Sequence, residues 1–185
     1  MRETVEVFRA LDTPDRADVV TGVATAVIAA LRGGGRALWF GNGGSAADAA
    51  HLAAEFLGRF KHDRTPLAAV ALVDNPAAVT AIANDYGYAE VFARQVGGLG
   101  RPGDVALGMS TSGRSPNVLR GLEAARDGGL VTVAFCGQDD AAMRERADFV
   151  LSVPCGETAT IQEAHKLMGH VVCELVERAF LVPGE

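Results

Sequence analysis

The 185-residue sequence contains no apolar run long enough to cross a bilayer, because its alanine-rich segment is interrupted by Asp48, His51 and Glu55. It contains no basic run either. With a formal charge of −6, it offers few of the cationic clusters that displace phosphate counterions, which argues against a nucleic-acid partner. Cys136, Cys155 and Cys173 are odd in number and show no CxxC spacing, so neither a disulfide framework nor a zinc ribbon is expected, and the thiols are read as reduced. The opening stretch MRETVEVFRALDTPDR brings acids early and lacks an uninterrupted apolar core, so no secretory signal and no membrane partner are expected, and the location is read as cytoplasmic. Repeats, linkers and low-complexity stretches are absent. One domain over residues 1–185 follows, with residues 1–34 as an N-terminal helical region packing on the domain and in any oligomer.

The chain does have one organising stretch, residues 36–60, RALWFGNGGSAADAAHLAAEFLGRF. A short apolar run, Ala37 to Phe40, breaks at Gly41-Asn42-Gly43-Gly44-Ser45 and continues as an alanine-rich segment, which reads as strand, tight turn and helix. Glycines let a ligand approach the main chain, and a helix start presents unpaired N–H groups and a positive dipole end, so the guest expected there is an anion. Ser45 is the expected N-cap, with Asp48 three residues on in capping-box fashion. His51 and Glu55, four apart, share a helix face. The turn is neither a Walker loop, since Gly-Lys-Ser/Thr does not occur, nor a GxGxxG fingerprint, and glycine-rich turns of this kind also serve purely structural roles.

Taken in order, the apolar spacing predicts helices over 4–11 and 14–32, a strand over 67–73, and a helix from Pro76 towards Ala83 that breaks at Asn84-Asp85-Tyr86-Gly87-Tyr88. A helix over 89–96 and strands over 105–109, 130–135 and 149–153 follow, separated by helices over 118–126 and 139–146. A last helix covers about 160–181. Alternating strands and helices joined by short loops give an α/β fold, a parallel sheet of about five strands with helices on both faces. In such sheets ligands bind beyond the carboxyl ends of strands near a switch in strand order, so the two glycine- and hydroxyl-rich loops should lie on one edge.

The second of these loops, Ser110-Thr111-Ser112-Gly113-Arg114-Ser115-Pro116, offers four hydroxyls ahead of a helix, more than a cap needs, and suits a phosphate. Of the four histidines, His165 and His170 fall in the last helix with Gln162 and Glu163, on a segment otherwise rich in Leu, Met, Val and Ala. A lone histidine on such a helix is more often structural. The pairing of this cluster with His51 and Glu55 favours a site.

FGNGGSAADAAHLAAEFLGRF, AIANDYGYAEVFARQV, GDVALGMSTSGRSPNV and TIQEAHKLMGHVV resemble, in order, the signatures of the phosphoheptose isomerase branch of the sugar isomerase (SIS) domain family. The likeness runs from about Gly35 to the C-terminus. It implies a single-domain, flavodoxin-like three-layer αβα sandwich, a cytoplasmic homotetramer with active sites at subunit interfaces, and one zinc ion per subunit. The implied activity isomerises sedoheptulose 7-phosphate to D-glycero-D-manno-heptose 7-phosphate. The resemblance carries zinc ligands onto His51, Glu55, Gln162 and His170. Substrate contacts fall on Asn42, Gly43, Gly44, Glu55, Asn84, Asp85, Ser110, Thr111, Ser112, Ser115 and Gln162, and proton transfers on Glu55 and His170. One difficulty is geometric: Gln162 and His170 are separated by a rise of roughly 12 Å in an ideal helix, so either the first turn is distorted or different subunits supply the ligands.

Two positions depart from the family pattern. Arg114 stands where the serine loop commonly has asparagine, and Thr160 where an arginine usually precedes the isoleucine, so positive charge is expected to be added beside the phosphate at one and lost at the other. The competing reading is a noncatalytic SIS-domain factor of the replication-initiator-associating type, binding a phosphosugar or a protein. The presence of His170 argues for catalysis. A phosphosugar-sensing regulator would need a DNA-binding segment, and no basic patch or helix-turn-helix is found.

Overall fold

Ala37, Leu38, Trp39 and Phe40 are all fully buried, because β1 (Ala37–Gly41) lies inside a parallel sheet covered on both faces. The chain is seen here as a computed structural model that describes residues 2–181; Met1 and residues 182–185 of the expected domain lie outside it. Five strands, β1, β2 (Ala69–Ala71), β3 (Val105–Ser110), β4 (Val131–Cys136) and β5 (Phe149–Ser152), pair in the order β2-β1-β3-β4-β5, all parallel. That is the doubly wound order in which the chain leaves β1 towards one edge and β3 towards the other, so the switch point lies between β1 and β3.

Side chains alternate across the sheet as the two-residue strand period requires. Trp39, with Phe56 and Phe135, belongs to a core shared with α2 (Pro14–Arg32), α3 (Gly44–Leu57) and α8 (Thr158–Ala179). Leu38 and Phe40 belong to a second core with α5 (Val91–Leu99) and α6 (Pro116–Asp127). The remaining helices are α1 (Arg2–Leu11), α4 (Pro76–Tyr86) and the short α7 (Ala141–Arg144). Val7 of α1 joins the first core beside Val20, Val23 and Val27, so the N-terminal helices pack on the domain.

Several local expectations are corrected. Helix α4 does not stop at Ala83 but carries Asn84 and Asp85 in its last turn and ends at Gly87. Helix α5 runs through Gly97 and Gly98 to Leu99, and the strand expected over 67–73 pairs only over Ala69–Ala71. Ser45 is not an N-cap: Gly43 holds that place, Ser45 is buried in the first turn, and Asp48 pairs with Lys166 of α8 at 3.0 Å. The N-terminal capping carboxylate is found on α8 instead, where Glu157 accepts from the N–H groups of Ala159 and Thr160.

All three cysteines are buried and unpaired, and burial pushes the thiols of Cys136 and Cys173 up to about 12, which keeps them protonated and unreactive. His165, fully buried on α8, packs edge-on against Phe135 with its Nε2 3.1 Å from the Cys136 carbonyl oxygen. A carbonyl only accepts, so the proton sits on Nε2, and Nδ1 has no partner among the described residues. Burial lowers the His165 pKa to about 4. The unfolded chain therefore binds a proton that the folded chain refuses, and the stability present above about pH 6.5 falls as the pH drops towards 4. Urea unfolding of the protein should show a loss of roughly 2–3 kcal/mol from this group between pH 7.5 and 4.5. His165→Gln should flatten the slope across that window, and an unchanged slope would refute the assignment.

Candidate functional site

The switch point places the loop after β1 beside the loop after β3, and polar side chains converge there. Ser110 Oγ lies 2.8 Å from Ser115 Oγ and 3.4 Å from Ser112 Oγ, and it accepts a 3.4 Å bond from the Ser115 N–H. Gly113 adopts φ +67°, and a Cβ there would collide with the Asp139 carbonyl, so only glycine lets this loop close on the β4 side. Arg114 is turned outwards and pairs with Asp139 at 3.1 Å. The charge expected beside the phosphate is therefore partly neutralised by a neighbour, in an exposed pair. Thr160 is buried in the first turn of α8.

The first loop is tied to the second by amides. Asn42 donates through Nδ2 to Asn117 Oδ1 at 2.8 Å, and Asn117 Nδ2 donates back to Asn42 Oδ1 at 2.8 Å. The Tyr88 hydroxyl donates to the same Asn42 oxygen at 2.9 Å. Gly44 opens α3 directly against Gln162 of α8, where a Cβ would come within 2.5 Å of Gln162 Nε2. The result is a neutral cradle of backbone, hydroxyl and carboxamide groups at a helix N-terminus, suited to an oxyanion.

Farther down the same two helices lies a cluster of different chemistry. Helices α3 and α8 run side by side in parallel, so that Gly44 meets Gln162, Asp48 meets Lys166 and His51 meets His170. His51 Nε2 is 2.8 Å from His170 Nε2 and 3.6 Å from Glu55 Oε1. Donor atoms of His51, Glu55 and His170 lie within 4.8 Å of one another. Desolvation, then the neighbouring His51 and Lys166, lower the His170 pKa against the opposing pull of Glu55 and Asp48, which disfavours the protonated ring. Two imidazoles and a carboxyl group facing one point form a donor set that fits a divalent transition metal.

A buried ion pair holds this cluster in place. Arg64 donates through Nη2 to the Glu55 carbonyl at 2.7 Å and through Nη1 to the carbonyls of Phe56 at 2.7 Å and Gly58 at 3.0 Å, satisfying the last turn of α3 with a cation where the helix dipole favours one. Glu177 of α8, 3.8 Å from Arg64 Nε, accepts from the N–H groups of Phe60, Lys61 and His62 at 2.8, 2.8 and 3.0 Å. Burial works against the Glu177 charge, but those three donors and Arg64 outweigh it and hold the carboxyl below its usual range. The clasp sets the Phe60 ring against His170 with 5.2 Å between centroids.

Most of the residues named from sequence therefore fall into two groups. Asn42, Gly43, Gly44, Ser110, Thr111, Ser112, Ser115 and Gln162 line or adjoin the cradle, while His51, Glu55 and His170 form the cluster. Asn84 and Asp85 are exposed at the end of α4, bonded to each other at 2.7 Å. Gln162 does not join the cluster within the chain, since it is the fifth residue of a regular helix and roughly 12 Å of rise separates it from His170. A distorted first turn is thereby excluded. Sequence reasoning passed over Tyr88, Asn117, Arg64 and Glu177. Asn117, just past Pro116 at the start of a helix, was the one with a local signal, because it directly follows the loop already singled out.

Residues 2–137 match the SIS domain family. The phosphoheptose isomerase of Roseiflexus sp. (strain RS-1) is 50% identical over 163 residues, covering 88% of this chain and 83% of its own. That of Paramagnetospirillum magneticum is 54% identical over 152 residues, covering 82% and 79%. Among solved structures, the phosphoheptose isomerase of Neisseria gonorrhoeae superimposes with a TM-score of 0.88 at 39% identity, over 95% of this chain and 94% of that one. A shared family profile, identity of half or more over most of both chains, and a common αβα architecture together mean that the chain belongs to the phosphoheptose isomerase branch of the SIS domain family.

Proposed function

We propose that the protein is an aldose–ketose isomerase that converts sedoheptulose 7-phosphate to D-glycero-D-manno-heptose 7-phosphate for heptose biosynthesis. The observation that carries this reading is the convergence of His51, Glu55 and His170 in a chain half identical to phosphoheptose isomerases. The same convergence disfavours a noncatalytic binding role, for which a base and a metal-binding histidine pair would have no use.

Moving the carbonyl from C2 to C1 requires loss of a proton from C1, protonation of the C2 oxygen, then loss of the O1 proton and return of a proton to C2, through an enediol or enediolate. Glu55 is assigned as the base, with its carboxylate aimed into the cluster and its backbone held by Arg64. His170 is its acid/base partner, and its lowered proton affinity keeps the ring neutral and able to accept. The serine loop and the Gly43-Gly44 helix start receive the phosphate, with Asn42, Asn84, Asp85 and Gln162 as further substrate contacts. Zinc, one per subunit, would be held by His51, Glu55 and His170 with Gln162, and when bound would polarise the carbonyl.

The separation of Gln162 from His170 along α8 supports a site completed across a subunit interface. An apolar groove between α1, α2 and α8, with the exposed Leu167 and Val171 beside Phe8, Leu11 and Val20, supports homo-oligomerisation, and we assign a tetramer. No helix among the described residues is long and apolar enough to cross a membrane, and a cytoplasmic location completes the proposal.

The test is conversion of sedoheptulose 7-phosphate by the purified protein, followed through formation of the aldose phosphate. Glu55→Gln and His170→Gln should each lower kcat by about 10²–10⁴-fold while circular dichroism and melting remain those of the parent protein. Full activity in either variant would remove that residue from the mechanism. Exhaustive chelation should abolish turnover and added zinc should restore it, with metal content measured in parallel. Turnover that survives in a protein shown to be metal-free would overturn the metal assignment.

A further inference from the structure

The amide pair between the two loops has a polarity, and that polarity bears on what the site can recognise. The Asn42 side-chain oxygen has two lone pairs, and both are taken, one by Asn117 Nδ2 at 2.8 Å and one by the Tyr88 hydroxyl at 2.9 Å. The Asn42 amide nitrogen has two protons, of which one is given to Asn117 Oδ1 at 2.8 Å. One N–H is left. Asn42 is half-buried at the carboxyl end of β1, whereas Asn117 is buried, so the unused donor belongs to a residue within reach of a ligand. Flipping both amides together would keep the reciprocal pair but place Nδ2 against Tyr88 and leave a lone pair for the ligand instead. A phenol is a better donor than acceptor, which selects the first arrangement.

We propose that Asn117 and Tyr88 are positioning residues that fix the Asn42 carboxamide as a hydrogen-bond donor, so that Asn42 recognises an acceptor oxygen of the phosphosugar. This rests on the phosphosugar reading given above. The pair also couples the loop after β1 to the first turn of α6, where the serine loop ends, so the two halves of the cradle are set by one pair of carboxamides. Tyr88 lies in the turn that follows α4, and its hydroxyl links the Asn84-Asp85 segment to the same arrangement.

The first measurement needs no substrate. In the full chain labelled with ¹⁵N-asparagine, one Asn42 side-chain proton should be protected from solvent exchange and the other should exchange freely; protection of both would reverse the polarity and overturn the proposal. The second is kinetic. Tyr88→Phe should raise KM for sedoheptulose 7-phosphate about five- to tenfold, the worth of one hydrogen bond, with kcat within about twofold of the parent. Asn117→Leu should do the same or more, with melting recorded to separate misfolding from misorientation. A KM unchanged in Tyr88→Phe would overturn the proposal, because loss of an exposed hydroxyl is too mild to be masked by unfolding. A parent protein that turns over no phosphosugar would overturn the functional reading alone, and the amide spectrum would still decide the polarity.

Discussion

Leu52 rests on Gly169, where any side chain on α8 would come within 2.5 Å of the leucine methyl, and this close approach lets α3 and α8 lie alongside each other in parallel. Everything ionisable in the candidate site depends on that register. Once Leu52 and Gly169 are seated, Asp48 falls opposite Lys166 and His51 opposite His170, while Gln162 is left at the N-terminal end over Gly44. A larger residue at position 169 would part the helices and with them the imidazole pair, without touching either histidine.

The two helices therefore carry two chemistries at two depths. At their N-terminal ends the groups are neutral, and field comes from backbone dipoles and oriented amides, which suits a phosphate that brings its own charge. About two turns along, the groups are ionisable, and burial together with the neighbouring His51 lowers the His170 pKa.

Much of this was legible in the sequence. Strand–loop–helix alternation was enough for the parallel sheet, because a βαβ crossover leaves little freedom in hand or connection, and four ordered motifs were enough for the family. His51 and Glu55 could be paired from their spacing alone. Their meeting with His170 came only through the family resemblance, since nothing local encodes which face of α8 meets α3. Ser45 misled because serine at a helix start usually caps, whereas here Gly43 takes the turn and the serine is packed inside it. Arg64 and Glu177 were invisible for a related reason: a buried ion pair between residues 113 positions apart has no short-range signature, and each looks in sequence like an ordinary surface charge.

That ion pair also changes the character of the segment between α3 and β2. Phe60, Lys61 and His62 belong to no helix or strand, yet their amides are bound to a carboxylate that is almost wholly buried on α8. Their amide hydrogens are bound to α8, so opening this stretch of irregular chain requires breaking its bonds to the end of that helix. An apparent loop thus shares the cooperative fate of the longest helix, and a local insertion here would be felt along the whole α3–α8 seam.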